Sequence, residues 1–191
     1  TDSDQYCIVF FGKPDPTGTW AWRFEGFHVS LNVTIVDGKA VVEAPFFIGV
    51  RPATVPEGPR KGLRAMPREE DLGRQLAASL DPEQRKVAFF SIPDFFNETV
   101  GGFITGNVRK IEQRRPEGLV ASRFNVAQGA LLRELVMTYL RRHRPELAER
   151  DLEKITHAGW ENLHFRWAGS LEPFQGHHYI IQGPTFLIEY D

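Results

Sequence analysis

The sequence predicts an α+β fold, with an antiparallel sheet formed from both chain ends and a helical middle segment packed on one face. Three observations carry this. Alternating apolar and polar runs dominate residues 5–50 and return in 163–191, apolar residues at helical spacing recur within 51–151, and Asp37-Gly38 separates two alternating runs as a hairpin turn should. At 191 residues the chain fits one domain spanning 1–191. With 41% hydrophobic residues, 15 Phe and 4 Trp, it can build a core without a disulfide or a metal.

The elements follow in order. The run Tyr6–Phe11 is apolar and contains Cys7, which reads as a buried, inert thiol; a single cysteine forms no internal disulfide and leaves the compartment open, cytoplasmic or exported. Trp20–Phe24 leads through Gly26 into a strand from Phe27 to Val36, and Asp37-Gly38 turns it into Lys39–Ile48, because a type I′ turn needs positive φ at both central residues. After a Pro- and Gly-rich connector, 51–62, a helix is expected from Arg68 to Leu80 with Leu72, Leu76 and Leu80 in one stripe. Asp81-Pro82-Glu83-Gln84 is a helix start with an N-cap, a proline in the first turn and a capping-box partner, and Asn125-Val126-Ala127-Gln128 repeats it. The stripe Leu131, Leu132, Leu135, Val136, Tyr139 and Leu140 that follows is packing surface. Between these helices Gly101-Gly102 and Gly106 suggest a loop. Near the C-terminus, Gly183-Pro184 separates His177–Gln182 from Thr185–Tyr190 as a second hairpin.

Hairpin register places the polar residues. A two-residue Asp37-Gly38 loop pairs Val36 with Lys39 and puts Val29, Leu31, Val33 and Ile35 opposite Phe46, Ala44, Val42 and Ala40 on a core-facing side. His28, Ser30, Asn32 and Thr34 then share the other face with Glu43. A two-residue Gly183-Pro184 loop pairs His178 with Glu189. If both polar faces belong to one sheet, His28, Asn32, Glu43, His178 and Glu189 form one patch, with Glu25 and Asp191 near the strand ends.

Chemistry is bounded mainly by what is missing. There is no Walker-type phosphate loop, G-x-G-x-x-G, H-E-x-x-H, C-x-x-C or G-x-S-x-G, which argues against nucleotide hydrolases, Rossmann dehydrogenases, zincins and α/β-hydrolases. The net charge of −2 gives no general pull toward nucleic acid, and the runs Arg114-Arg115 and Arg141-Arg142-His143-Arg144 sit at helix ends or loops. No apolar stretch approaches the roughly 20 residues of a membrane span. The sequons Asn32-Val33-Thr34 and Asn97-Glu98-Thr99 are short enough to arise by chance.

What remains is a set of imidazoles and carboxylates. His28, His178 and Glu189, with Glu25 and Asp191, suit a divalent metal, and His178 polarised by Glu189 suits an acid–base pair. The plainer reading is a cross-strand His–Glu contact worth about 0.2–1 kcal/mol. His143 and His157 read as surface or helix-end residues. The leading expectation is a metal-binding protein or metal-dependent enzyme; whether it is an enzyme stays open. The alternative is a non-catalytic module that binds a small molecule or carbohydrate on Trp20 and Trp22, which share a strand face. Trp160 and Trp167 belong to the same aromatic set, for which core packing is the commoner use.

The segments Phe11-Gly12-Lys13-Pro14-Asp15-Pro16-Thr17-Gly18, Trp22–Asn32 and Gln182–Asp191 resemble the domain of unknown function 3500 family, mainly of bacterial proteins. The similarity extends through Gly58–Leu63 and Phe165–Gly169. The resemblance implies no activity. It implies a longer protein, since similar chains have an additional helical part before the equivalent of Tyr6 and a His-rich, Trp-containing segment after the equivalent of Asp191. This chain then reads as a fragment, and further metal ligands could come from those histidines. Phe27 stands where the resemblance places the first residue of a His-His pair.

Overall fold

A computed structural model describes residues 5–91, 104–105 and 115–191. The Asn97 sequon, Gly101-Gly102, Gly106 and Arg114 lie outside the described residues. The chain is α+β, with antiparallel sheets at both ends and, among the described residues, four α-helices in between. The strands from the two ends form two separate sheets rather than one. They fall in two compact units: Thr1–Pro67 with Arg141–Arg150, and Arg68–Leu140 with Asp151–Asp191.

The first unit contains β1 (Cys7–Phe11), β2 (Thr19–Gly26), β3 (Val29–Val36), β4 (Lys39–Val42) and β5 (Phe46–Ile48). They pair in the order β1-β2-β3-β4, with β5 also on β3. Asp37 and Gly38 both have positive φ, 48° and 72°, and Val36 pairs with Lys39 as the turn chemistry demands. Beyond that pair the register departs from a simple ladder. An irregularity between Thr34 and Ile35 sets Thr34 opposite Val42. A one-residue slip of this kind reverses which way a side chain faces, and Val42, expected on the core side, is 45% exposed. By β5 the slip is two residues: Leu31 faces Phe46 and Val29 faces Ile48, so the apolar side of β3 is restored, and Val33 is buried.

Two residues of this unit sit differently from their sequence assignments. Gly26 pairs with Val29, which leaves Phe27-His28 as a two-residue turn; His28 has φ 63° and is therefore in the turn rather than on a strand face. Cys7 is exposed, because β1 is the outer strand of the sheet and burial reaches only its middle residue. Gly26 itself is required by packing: a Cβ there would lie 2.2 Å from the Tyr6 ring.

The second unit contains α1 (Pro67–Ser79), α2 (Pro82–Ala88), β6 (Leu119–Val120), α3 (Val126–Leu140), most of α4 (Pro145–Ala158), β7 (His164–Gly169), β8 (His177–Gln182) and β9 (Leu187–Tyr190). Residues 145–150 of α4 belong to the first unit. The sheet order is β6-β7-β8-β9. Both capping boxes form. Asp81 and Gln84 exchange side-chain and backbone bonds at 2.8 and 3.1 Å, and Asn125 and Gln128 do so at 2.9 and 3.0 Å. The two capping glutamines then bond each other, Gln84 Nε2 to Gln128 Oε1 at 3.0 Å and Gln128 Nε2 to Gln84 Oε1 at 2.8 Å. Their remaining amide protons go to the carbonyls of Arg123 and Ser79, so two buried polar side chains are satisfied and α2 is tied to α3.

One face of β8 is aromatic. The Tyr179 ring lies parallel to Trp167 at 6.2 Å and to Tyr190 at 4.9 Å, while His177 stacks between Trp167 at 5.0 Å and Tyr190 at 5.6 Å. Burial holds the His177 imidazole below its usual pKa and pushes the Tyr179 phenol well above its own. The Tyr179 hydroxyl lies 2.6 Å from that of Tyr139 and donates to the Glu69 carbonyl at 3.1 Å. Helix α1 comes so close that a Cβ on Gly73 would stand 2.6 Å from the Tyr179 ring.

Candidate functional site

The other face of β8 carries His178. The β8–β9 hairpin has a longer loop than Gly183-Pro184 alone: Gln182 pairs with Leu187, and the Gly183 N–H donates to the Phe186 carbonyl at 3.0 Å. Glu189 consequently faces Ile180 rather than His178. A slip of two residues keeps every side chain on its own face. Glu189 therefore stays beside His178 as a diagonal neighbour, and Asp191 moves alongside it.

Three of the sequence candidates meet here. His178 Nδ1 is hydrogen-bonded to the Asp191 carboxylate, and its Nε2 lies 3.5 Å from Glu189 Oε1. His178 is fully buried and the Glu189 side chain is 2% exposed, whereas that of Asp191 is 41% exposed. The buried Glu189 carboxylate is held by a short segment that gives no sequence signal. It accepts the Ile104 N–H at 2.8 Å, the Thr105 N–H at 2.6 Å and the Thr105 hydroxyl at 2.6 Å. Phe90 meets the His178 ring edge-on at 5.8 Å, and the Arg166 guanidinium lies 3.9 Å above Phe90. Asp191 and Glu189 approach opposite ring nitrogens, so they do not converge on one point. Among the described residues no group of three or more His, Cys, Asp or Glu is placed to hold a metal ion.

His28 and Glu25 belong to the first unit and its separate sheet, so the condition for one shared polar face is not met. The His28 ring stacks on Phe27 at 4.1 Å, and Glu25 pairs with Arg23 at 2.9 Å. Trp20 and Trp22 are both half-buried and share a face, opposite Ile35 and Val33. Trp20 donates its indole N–H to the Asp15 carbonyl at 2.9 Å.

Trp22 forms one wall of a half-open pocket of about 650 Å³ within the first unit. Its apolar lining is Trp22, Val33, Ile35, Ala40, Val41 and Leu147; its charged lining is Lys39, Glu43, Arg144, Glu146 and Arg150. Strand alternation aims the first four inward, and residues 144–150 close the opposite side. Leu147 is buried there and Arg150 donates to the Val41 carbonyl. Both carboxylates already have polar partners. Glu43 lies 3.2 Å from His143 Nδ1 and accepts the Arg144 backbone N–H, also at 3.2 Å. Glu146 accepts from Arg144 Nε at 2.6 Å, and hydrogen bonds from its own backbone N–H and from Arg144 hold its carboxyl below the usual pKa. His143, read from sequence as a surface or helix-end residue, lies between the end of α3 and the start of α4 and is half-buried against Glu43 and the Phe46 ring.

These features define an α+β chain with two antiparallel sheets, a buried histidine contacted by two carboxylates in one unit and a pocket walled by Trp22 in the other. The chain belongs to the family described as "Protein of unknown function (DUF3500)", whose profile matches residues 3–191. No curated protein and no solved structure matches it. Among the described residues no helix is long and apolar enough to cross a membrane.

Proposed function

We propose that the chain is a ligand-binding module whose small-molecule site is the Trp22 pocket. The observation that carries this reading is the pocket itself. Its roughly 650 Å³ falls within the range of about 300–1,000 Å³ typical of small-ligand sites, and it joins an aromatic wall to a few placed charges. A half-buried indole offers a flat apolar surface that a ligand can finish covering. A thermal-shift screen of small aromatic and apolar compounds tests it. A ligand present at 100 times its Kd stabilises the protein by about 2.7 kcal/mol. That stabilisation is expected to vanish in Trp22→Leu and to persist in Trp160→Leu; stabilisation unaffected by Trp22→Leu would overturn the reading.

A second reading concerns His178 and Glu189 as ligands of a divalent metal, with Asp191 orienting the imidazole. It is supported by the Asp191 bond to Nδ1, since a carboxylate on one ring nitrogen fixes an imidazole for ligation through the other, and by a Glu189 oxygen on the Nε2 side. His28 and Glu25 belong to the other unit and are not part of this reading. Metal content of the purified protein should then be near stoichiometric and should drop in both His178→Ala and Glu189→Ala. Equal trace metal in all three proteins sinks this reading and leaves the pocket reading untouched.

A further inference from the structure

We infer that the Trp22 pocket selects a small amphipathic anion, a flat apolar body carrying one carboxylate, sulfonate or phosphate, rather than a sugar. The inference rests on the pocket reading and adds the class of ligand.

Two features of the lining favour it. The first is the kind of polar group present. No Ser, Thr, Asn, Gln, Tyr or His is among the lining residues. A sugar presents several hydroxyls, and each loses water on binding unless a donor or acceptor replaces it. The uncharged part of this wall is aliphatic side chains and an indole face. Of its charged side chains, Glu43, Glu146, Arg144 and Arg150 already have partners, so few groups are left to replace the water that a sugar's hydroxyls lose. The second feature is charge. Glu43 and Glu146 are already engaged by His143 and Arg144, and Arg150 is anchored on the Val41 carbonyl. The Lys39 ammonium has no hydrogen-bond or ion-pair partner among the described residues and stands exposed as the first residue after the Asp37-Gly38 turn. The lining sets three cations, Lys39, Arg144 and Arg150, against two carboxylates, Glu43 and Glu146, so the excess charge at this pocket is positive. An apolar body against Trp22, Ile35 and Leu147 with its anion at Lys39 matches both features.

Two fluorescent probes separate body from charge. They are 1-anilinonaphthalene-8-sulfonate and N-phenyl-1-naphthylamine, the same ring system without the sulfonate. The sulfonate is expected to bind at one site per chain, about tenfold more tightly than the neutral probe, as one charge-assisted contact supplies. Lys39→Gln should remove that tenfold advantage and leave the neutral probe unchanged; Lys39 is exposed, so the fold should survive the change. Trp22→Leu should weaken both probes. Ala40→Phe, which fills the pocket from a different strand, should do the same and guards against an unfolded Trp22 variant. If the neutral probe binds as tightly as the sulfonate and both depend on Trp22, the pocket stands and the anion preference is wrong. A sulfonate affinity unchanged by Lys39→Gln overturns the preference likewise. If neither Trp22→Leu nor Ala40→Phe affects either probe, the pocket reading falls and this inference with it.

Discussion

Glu189→Ala is expected to destabilise the protein by about 2–3 kcal/mol, the order of cost when a buried acceptor is removed from its hydrogen-bond donors. The carboxylate is 2% exposed and accepts two backbone N–H groups and a hydroxyl from Ile104 and Thr105, with His178 on its other side. Truncation removes the acceptor of all three donors; the part-buried Ile104 N–H is the one that water replaces least easily, whereas Thr105 is exposed. Asp191 makes the informative contrast. It also contacts His178, but its side chain is 41% exposed, so solvent screens the pair and Asp191→Asn should change stability by no more than about 1 kcal/mol. Urea denaturation of both variants checks the pair. A Glu189→Ala protein within 1 kcal/mol of the parent would mean that the Ile104–Thr105 contacts contribute little.

How far the sequence announced these features depends on whether their cause is local. The two capping boxes were legible because cap chemistry is confined to four residues. Their joining through Gln84 and Gln128 was not, since it links positions 44 residues apart. The Asp37-Gly38 turn and its first pair were legible for the same local reason. The register beyond it was not, because the turn residues encode neither the irregularity between Thr34 and Ile35 nor the pairing of β5 with β3. Whether two alternating ends make one sheet or two is a non-local choice that the period-2 pattern does not encode. Helix α4 escaped the sequence reading, although Pro145 at its first turn was a usable start signal.

The same division runs through the candidate sites. Glu189 and His178 could be assigned to one face because side-chain alternation survives a two-residue slip, whereas the Ile104–Thr105 clamp comes from about 85 positions away. Trp22 was singled out from its strand, but the wall that makes a pocket of it arrives from residues 144–150. Cys7 shows the limit of composition alone. An apolar run reads as buried, and only the pairing order reveals that β1 is an outer strand.

Trp167→Ala should cost about 3–5 kcal/mol, in the range for emptying a fully buried large aromatic site. The ring is wholly buried between His177 and Tyr179, and its neighbours are themselves stacked, so they have little freedom to collapse into the space left. Aromatic pairs contribute roughly 0.5–1.5 kcal/mol beyond burial, which places this site toward the upper end. The backbone of Trp167 also accepts the Phe90 N–H at 3.0 Å, a bond the substitution leaves in place, so the loss reports the side chain alone. Trp20→Ala should cost clearly less, because that ring is only half-buried. Trp167→Phe keeps most of the volume and provides the functional control. It should lower the urea midpoint modestly while leaving probe affinity at the Trp22 pocket unchanged, since the two residues belong to different units. Probe binding that falls with Trp167→Phe as steeply as with Trp22→Leu would show that affinity follows global stability, and would remove the case for a site at Trp22.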